Sequence, residues 1–387
     1  MINNFLFTNL LKHLEKIHTG ALTFHTPDHK KYEFSGSQGG PKADIYIYDW
    51  NAIPEWVAKG DIGFAETYRE GLWETNDLLA ALNIAMLNRD ILNPYLKANI
   101  FQNFFYQVIY ALQKNSIKGS KKNIHAHYDL GNDFYKLWLD PTMTYSSAIY
   151  KNDNEDLSQA QNNKYDRIID SLNGDSGSLL EIGCGWGGFA DRALERDKDM
   201  QIKGITLSHE QKDFAVDRLQ NNAQIVLEDY RHQEGKFDHI VSIEMFEAVG
   251  EKYWKTYFEK MKSLLADKGK AVVQTITVAN EDFDHYKNET DFLRSYIFPG
   301  GLLPSPEKFD SVAQKAGLMT SNIYEFGQDY ARTLEEWLKN FDSVVDKVRG
   351  LGFDDKFIRL WRFYLAGCAA GFASGYTNVQ QVELAHA

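Results

Sequence analysis

Along the last two thirds of the chain, short apolar blocks alternate with polar stretches at helical spacing. Leu179-Leu180-Glu181-Ile182 runs into Gly183-Cys184-Gly185-Trp186-Gly187-Gly188, after which Phe189-Ala190-Asp191-Arg192-Ala193-Leu194 resumes a helical period. Strand, glycine-rich turn and helix, in that order, form the nucleotide-binding entry of an α/β sheet. Gln201–Ser208, Ala223–Leu227, Phe237–Ile243 and Gly269–Ile276 repeat the rhythm, and Asn378–Leu384 reads as a last strand. The pattern predicts a doubly wound sheet with its ligand at the carboxyl ends of parallel strands. The polar residues at those ends are Glu181, Thr206, Asp229, Glu247 and Gln274.

The first ~115 residues are patterned differently, as a smaller α+β module. Ala43–Trp50 alternates like a strand, Gly60–Tyr68 opens a turn into a helix, and Leu78–Leu87 and Ile100–Leu112 read as helices. In the last, Phe101, Phe104, Phe105, Val108, Ile109 and Leu112 form one stripe, which suits a core helix or contact with lipid.

A chain of 387 residues suggests two domains. The basic stretch Lys114–Lys122 breaks the apolar pattern and marks the seam. Residues 1–122 hold 13 basic against 12 acidic residues and the remainder 29 against 42, leaving −12 overall. So acidic a C-terminal part argues against nucleic acid as a partner and gives any contact with anionic lipid to the N-terminal part. Cys184 and Cys368 are the only cysteines, too few for a disulfide framework or a cysteine metal site, and no metal is expected. The start lacks a signal-peptide layout. The apolar stretch Phe363–Tyr376 is shorter than the ~20 residues of a spanning helix. A soluble, cytoplasmic protein is expected. Gly367, Gly371 and Gly375 recur at four-residue spacing and predict a face open to close approach by another helix or an acyl chain, with helix packing favoured.

Gly183, Gly185 and Gly188 spell G-x-G-x-x-G, which alone does not choose a cofactor. A dinucleotide needs an acid at the tip of the second strand, and here that strand ends in hydroxyls. Trp186 also crowds the helix start where a pyrophosphate would sit. Glu181-x-Gly183-x-Gly185 instead resembles the first motif of class I S-adenosylmethionine methyltransferases. A wider resemblance is carried by six blocks in order across about two thirds of the chain. They are His127–Tyr135 with Leu139–Ala148, Leu180–Gly188, Gly204–Ser208, Ser242–Gly250 with its Met-Phe-Glu core, Tyr296–Gly301 and Tyr330–Leu334. Together they resemble the cyclopropane-fatty-acid synthases and related mycolic acid methyltransferases.

That resemblance implies a class I methyltransferase sheet, mostly parallel with an antiparallel last strand, over residues 125–387. A lipid- or membrane-associated domain would occupy residues 1–117, with a basic linker at 118–124. The implied reaction moves a methyl(ene) group from S-adenosylmethionine to the cis double bond of an unsaturated phospholipid acyl chain and gives a cyclopropane. Methyl- or methylene-branched products, a small-molecule methyltransferase and a non-catalytic lipid-binding module are the alternatives. Tyr145, Ser146, Glu181, Gly183, Gly185, Thr206, Leu207, Gln211, Asp229 and Tyr230 would contact the cofactor. Glu247 and Tyr330, helped by Ser147, Gln274 and Ile276, would hold a bicarbonate acting as base. The better-defined bicarbonate sites of the family have Cys at the position of Ser147 and His at that of Gln274. Gln can donate a hydrogen bond but cannot exchange a proton near neutral pH. Aromatics such as Phe134, Tyr135, Trp138, Phe246, Phe298 and Tyr364 are candidates for a hydrophobic tunnel, only a minority of them touching substrate. The implied partner is phospholipid in a bilayer, with the protein peripheral on the inner face of the membrane; a homodimer is left open.

Overall fold

Four strands organise the N-terminal part: β1 (Thr19–His25), β2 (Lys31–Ser35), β3 (Gln38–Ile47) and β4 (Trp73–Thr75), in the order β2-β1-β3-β4. The computed structural model describes residues 2–96, 130–172 and 177–387. The Ile100–Leu112 stripe, the basic seam and His127–Asp129 therefore lie outside the described residues. β1 alternates because Leu22 and Phe24 turn to the core, and its neighbours run antiparallel (β2) and parallel (β3). Helices follow at Asp61–Arg69 and Leu78–Leu87, the second capped by Asp77, whose carboxylate accepts from Ala80 N at 2.9 Å.

Contacts divide the chain into two units. The first holds Met1–Leu112 together with His285–Pro299 and Leu334–Tyr376, two segments that sequence pattern had assigned to the methyltransferase domain. Their bonds give the reason. On the Asp355–Ala373 helix, Arg359 donates to Tyr68 O, Trp73 O and Glu74 Oε2. The Phe363 ring packs on Phe64, Tyr68 and Phe292, and Phe292 N donates to Asp61. These partners stand up to 291 positions apart, beyond the reach of local periodicity. The helix ends at Ala373, Gly375 lies beyond it with φ +74°, and a side chain at Gly367 would meet nothing within 4 Å. Gly367 and Gly375 therefore provide no close approach, and only Gly371 of the three is buried.

The second unit carries a seven-stranded sheet. Its strands are β5 (Ser178–Ile182), β6 (Gln201–Thr206), β7 (Gln224–Leu227), β8 (Phe237–Ile243), β9 (Leu265–Val278), β10 (Leu318–Glu325) and β11 (Thr377–His386). The order is β10-β11-β9-β8-β5-β6-β7, parallel from β9 to β7, with β11 antiparallel to β9 and to β10. β10 escaped the sequence reading because nearly all its residues face solvent and show no apolar alternation. One core cluster joins Leu179, Val241 and Val272 of the sheet to Ile168, Ile169, Phe189, Ala193, Ala215 and Leu219 of the flanking helices. Among the described residues no helix is long and apolar enough to cross a membrane.

Candidate active site

β5 lies between β8 and β6, so the strand order reverses there and leaves a crevice at the carboxyl ends. A cavity of ≈ 170 Å³ occupies it. Gly183, Gly185 and Gly187 all take positive φ (+84°, +51° and +80°), a conformation that glycine adopts without a Cβ penalty. A Cβ at Gly185 would meet no protein atom within 4 Å, so this glycine keeps open the space where a ligand must come close. Glu181 is 3% exposed and lines the same cavity, and its Oε2 has no hydrogen-bond partner. Burial pushes its carboxyl up to about 8, against the pull of the Lys164 charge. Such an acid is completed by a cationic group of a ligand.

Across the cavity Thr206 Oγ1 donates to Gln211 Oε1 at 2.7 Å. Asp229 is gripped by Arg231 through Nε (2.8 Å), Nη2 (2.5 Å) and the backbone N (3.0 Å). Burial opposes ionisation of Asp229, but these donors hold its carboxyl below the usual range. Trp186 Nε1 donates to Asn132 Oδ1 at 2.6 Å, and its ring centroid stands 5.0 Å from that of Tyr135. All ten residues expected around the cofactor line this cavity. Glu181 and Gly185 fit S-adenosylmethionine: one offers an unsatisfied carboxylate for its positive charge, the other room for its body.

The ends of β8 and β9 are built from side chains. Glu244 follows β8 and has φ +48°, a left-handed conformation that costs a non-glycine residue about 1–3 kcal/mol. Its backbone N donates to Gln274 O at 2.8 Å. Its carboxylate accepts from Ser147 N (2.9 Å) and Gln274 Nε2 (2.8 Å) at Oε1, and from Tyr330 Oη (2.7 Å) at Oε2. The Gln274 amide cannot be turned around. Arg167, which only donates, bonds Gln381 Oε1 at 2.8 Å; Gln381 Nε2 therefore donates to Gln274 Oε1 at 2.9 Å. Gln274 thus presents its NH₂ to Glu244. Burial raises the Glu244 carboxyl above its ordinary value, opposed by Tyr330, Ser147 and the Lys164 charge.

Glu247 is held apart from that cradle. Its Oε1 accepts from Ile276 N (2.5 Å) and Thr275 Oγ1 (2.9 Å), and its Oε2 has no partner. Burial, helped by the nearby Glu244 charge, pushes it up to about 8. Lys164, wholly buried on the Leu157–Ser171 helix, donates to Ser146 Oγ at 2.7 Å. Burial lowers its amine to about 7 against the pull of Glu244, Asp140 and Glu181.

The five residues expected around a bicarbonate do not gather on one point. Ser147, Gln274 and Tyr330 converge on Glu244; only Ile276 goes with Glu247. Glu244 lines the cavity and Glu247 does not. The donors that would hold an external anion already hold a carboxylate, and a second anion would add charge beside two buried acids. These residues do not fit a bound bicarbonate. Glu244 and Lys164 went unread as site residues, although a lysine amid Tyr165, Ile168 and Ile169, on the apolar face of a helix, was a signal that could have found one of them. Of the aromatics proposed for a tunnel, Phe134, Tyr135, Trp138 and Phe246 are buried in ring clusters with one another or with Trp254, Tyr257 and Phe309. Tyr145 faces the cavity.

The family model described as mycolic acid cyclopropane synthetase matches residues 115–382. The chain belongs to that family. It is 34% identical over 360 residues to the tuberculostearic acid methyltransferase of Mycobacterium tuberculosis, covering 89% of this chain and 84% of the relative. It is 32% identical over 350 residues to the cyclopropane-fatty-acyl-phospholipid synthase of Escherichia coli, with 89% and 88% covered. A crystal structure of the mycolic acid cyclopropane synthase CmaA1 with SAH and CTAB superposes with a TM-score of 0.64 at 31% identity, covering 68% of this chain and 97% of that one. The chain is thus an S-adenosylmethionine-dependent methyltransferase of the cyclopropane-fatty-acid synthase family, on the fold that the strand pattern predicts.

Proposed function

We propose that the enzyme transfers the methyl group of S-adenosylmethionine to the cis double bond of an unsaturated phospholipid acyl chain and closes a cyclopropane. The observation that carries this reading is the pairing of the unsatisfied Glu181 carboxylate with the open face of Gly185 in one cavity. Bound there, S-adenosylmethionine supplies an electrophilic methyl group. The protein's part is to fix it in line with a weakly nucleophilic alkene and to keep water away. Glu181 would hold the donor's positive charge and Gly183 and Gly185 its body. Thr206, Leu207, Gln211, Asp229 and Tyr230 would wall the other side, with Tyr145 and Ser146 closing the cavity.

A second product has specific support. Gln274 stands where the best-defined ring-forming sites have His, and the 34% identical relative is a tuberculostearic acid methyltransferase. Loss of a proton from the new methyl group at once closes the ring; loss after a hydride shift leaves a methylene branch. Mass spectrometry of lipids from cells expressing the enzyme separates the two. A gain of one CH₂ without an alkene is expected, the same gain with an alkene selects the branch, and unchanged lipids would contradict methyl transfer to lipid.

Residues 1–122 are proposed to meet the inner membrane face through the Lys118/Lys121/Lys122 cluster, each lysine adding ~1 kcal/mol on anionic lipid. Deleting them would strip Phe64, Tyr68 and Trp73 from the core that also holds Phe363 and Arg359. The test is therefore the full chain with the three lysines changed to Gln. Weaker, less salt-dependent sedimentation with phosphatidylglycerol vesicles is expected, and unchanged sedimentation contradicts the assignment.

A further inference from the structure

The reaction proposed above needs a base, and the residues do not fit a bicarbonate. We propose that Glu244 is the base: this enzyme carries its proton acceptor in its own chain, seated where the three donors of an anion cradle meet. The inference rests on the methyl-transfer reading. Three observations support it. Ser147 N, Gln274 Nε2 and Tyr330 Oη all donate to the Glu244 carboxylate. That residue lines the cavity with Gly183, Gly185 and Glu181. Its backbone is held in the left-handed region at φ +48°, a cost that functional positions tend to carry.

The chemistry balances without a further reactant. The alkene's electron pair forms a bond to the methyl carbon as the S–CH₃ bond breaks, leaving S-adenosylhomocysteine and a carbocation on the acyl chain. A proton then leaves the added methyl group for a Glu244 oxygen. The C–H electron pair becomes either the last ring bond or, after a hydride shift, the C=C bond of a methylene branch. Both products lose the proton from the same carbon, so one base serves either outcome.

The other buried groups are placed for other work. Glu247 spends one oxygen on Ile276 N and Thr275, does not line the cavity, and so braces β9. Glu181 faces the cavity from β5 and is set for the donor's charge. Lys164 bonds Ser146, does not line the cavity, and offsets the carboxylates electrostatically. Asp229 also lines the cavity, but both its oxygens are paired with the Arg231 guanidinium, whereas Glu244 is held by neutral donors that aim its carboxylate and oppose the effect of burial.

The test uses purified full-length enzyme, S-adenosylmethionine and vesicles of a cis-monounsaturated phosphatidylglycerol, in carbonate-free buffer with and without added bicarbonate. Wild-type turnover should be indifferent to bicarbonate. E244Q, which keeps the shape and removes the base, should lose ~10²–10⁴-fold in turnover with S-adenosylhomocysteine affinity unchanged by calorimetry. E244G relieves the left-handed strain and leaves three donors facing an empty cradle. It should be as slow as E244Q in carbonate-free buffer and be partly rescued by added bicarbonate or formate. Wild-type turnover that depends on bicarbonate, or an E244Q enzyme at full rate, would overturn the assignment and leave methyl transfer standing. A wild-type enzyme that binds S-adenosylhomocysteine but gains no lipid product would overturn both.

Discussion

At the carboxyl ends of β5, β6 and β7 the site is made chiefly of backbone. Gly183, Gly185 and Gly187 turn through positive φ within five residues, and the strand tips bring Thr206 and Asp229 to face them. At the ends of β8 and β9 it is made of side chains that find one another from afar. Glu244 meets partners at 147, 274 and 330, and the orientation of Gln274 is set through Gln381 by Arg167. The first region makes space for a ligand; the second fills space with a carboxylate of its own. A backbone site tolerates drift in its surroundings and depends on single glycines, whereas a side-chain cluster shares its function among partners and changes when one of them does.

The largest effect should come from the backbone region. Gly185→Val would force a branched residue to φ +51° and push its side chain into the cavity. Together these cost ~3 kcal/mol or more, raising the Kd for S-adenosylhomocysteine by at least ~100-fold in calorimetry. Binding that survives would mean the ligand does not lie against this turn.

Glu181→Gln should weaken the same ligand by ~1.5–3 kcal/mol, the worth of one charge-assisted hydrogen bond. It also has a pH signature. In the folded chain without ligand the Glu181 carboxyl keeps its proton to about 8, against an ordinary 4.5, and pairing with the ammonium group of S-adenosylhomocysteine needs it ionised. Binding near neutral pH should therefore release a proton, seen in calorimetry as a buffer-dependent heat, and E181Q should abolish much of that release. The same shift makes its contribution to stability fully present below about 4.5 and lost as the pH rises through about 8. The ligand-free enzyme should melt lower at pH ~8 than at pH ~5, less steeply in E181Q. An equal slope in both would remove Glu181 from the account.

In the side-chain region Gln381→Leu should leave Arg167 and the Gln274 carbonyl unpaired. A stability loss of ~1–3 kcal/mol is expected in urea unfolding, with turnover falling because Gln274 is no longer held toward Glu244, while S-adenosylhomocysteine affinity stays. Unchanged turnover would show that the relay does not orient the carboxylate. The smallest effect belongs to Lys164→Met. Tyr330, Ser147 and Gln274 still stabilise the Glu244 charge and Glu247 opposes it, but the lysine's attraction is gone. The acid limb of the pH–rate profile should move to higher pH, and a shift to lower pH would contradict the charge balance described here.

The same contrast explains what the sequence disclosed. Strand, glycine turn and helix are contiguous, so Leu179–Leu194 announced both the sheet and the cofactor cavity, and all ten residues expected there line it. The helix at Leu78–Leu87 and the strand at Phe237–Ile243 have the limits read from the apolar pattern. In the acid cluster motif position favours Glu247, and nothing local shows that Glu244, three residues earlier, takes the donors at 147, 274 and 330. That His285–Pro299 and Leu334–Tyr376 cluster with the N-terminal unit was not legible for a similar reason, since their partners near Asp61, Tyr68 and Trp73 lie far back in the chain. β10, exposed along nearly its whole length, had no pattern to show.

The most direct measurement of the central claim gives the enzyme S-adenosylmethionine bearing a trideuterated methyl group, with cis-monounsaturated phosphatidylglycerol vesicles in carbonate-free buffer, and counts deuterium in the product by mass spectrometry. If a base facing the cavity takes its proton from the transferred methyl group, each product chain keeps two deuterium atoms, and E244Q makes such chains far more slowly. Product chains that keep all three would show that no proton is taken from that carbon and would contradict the account.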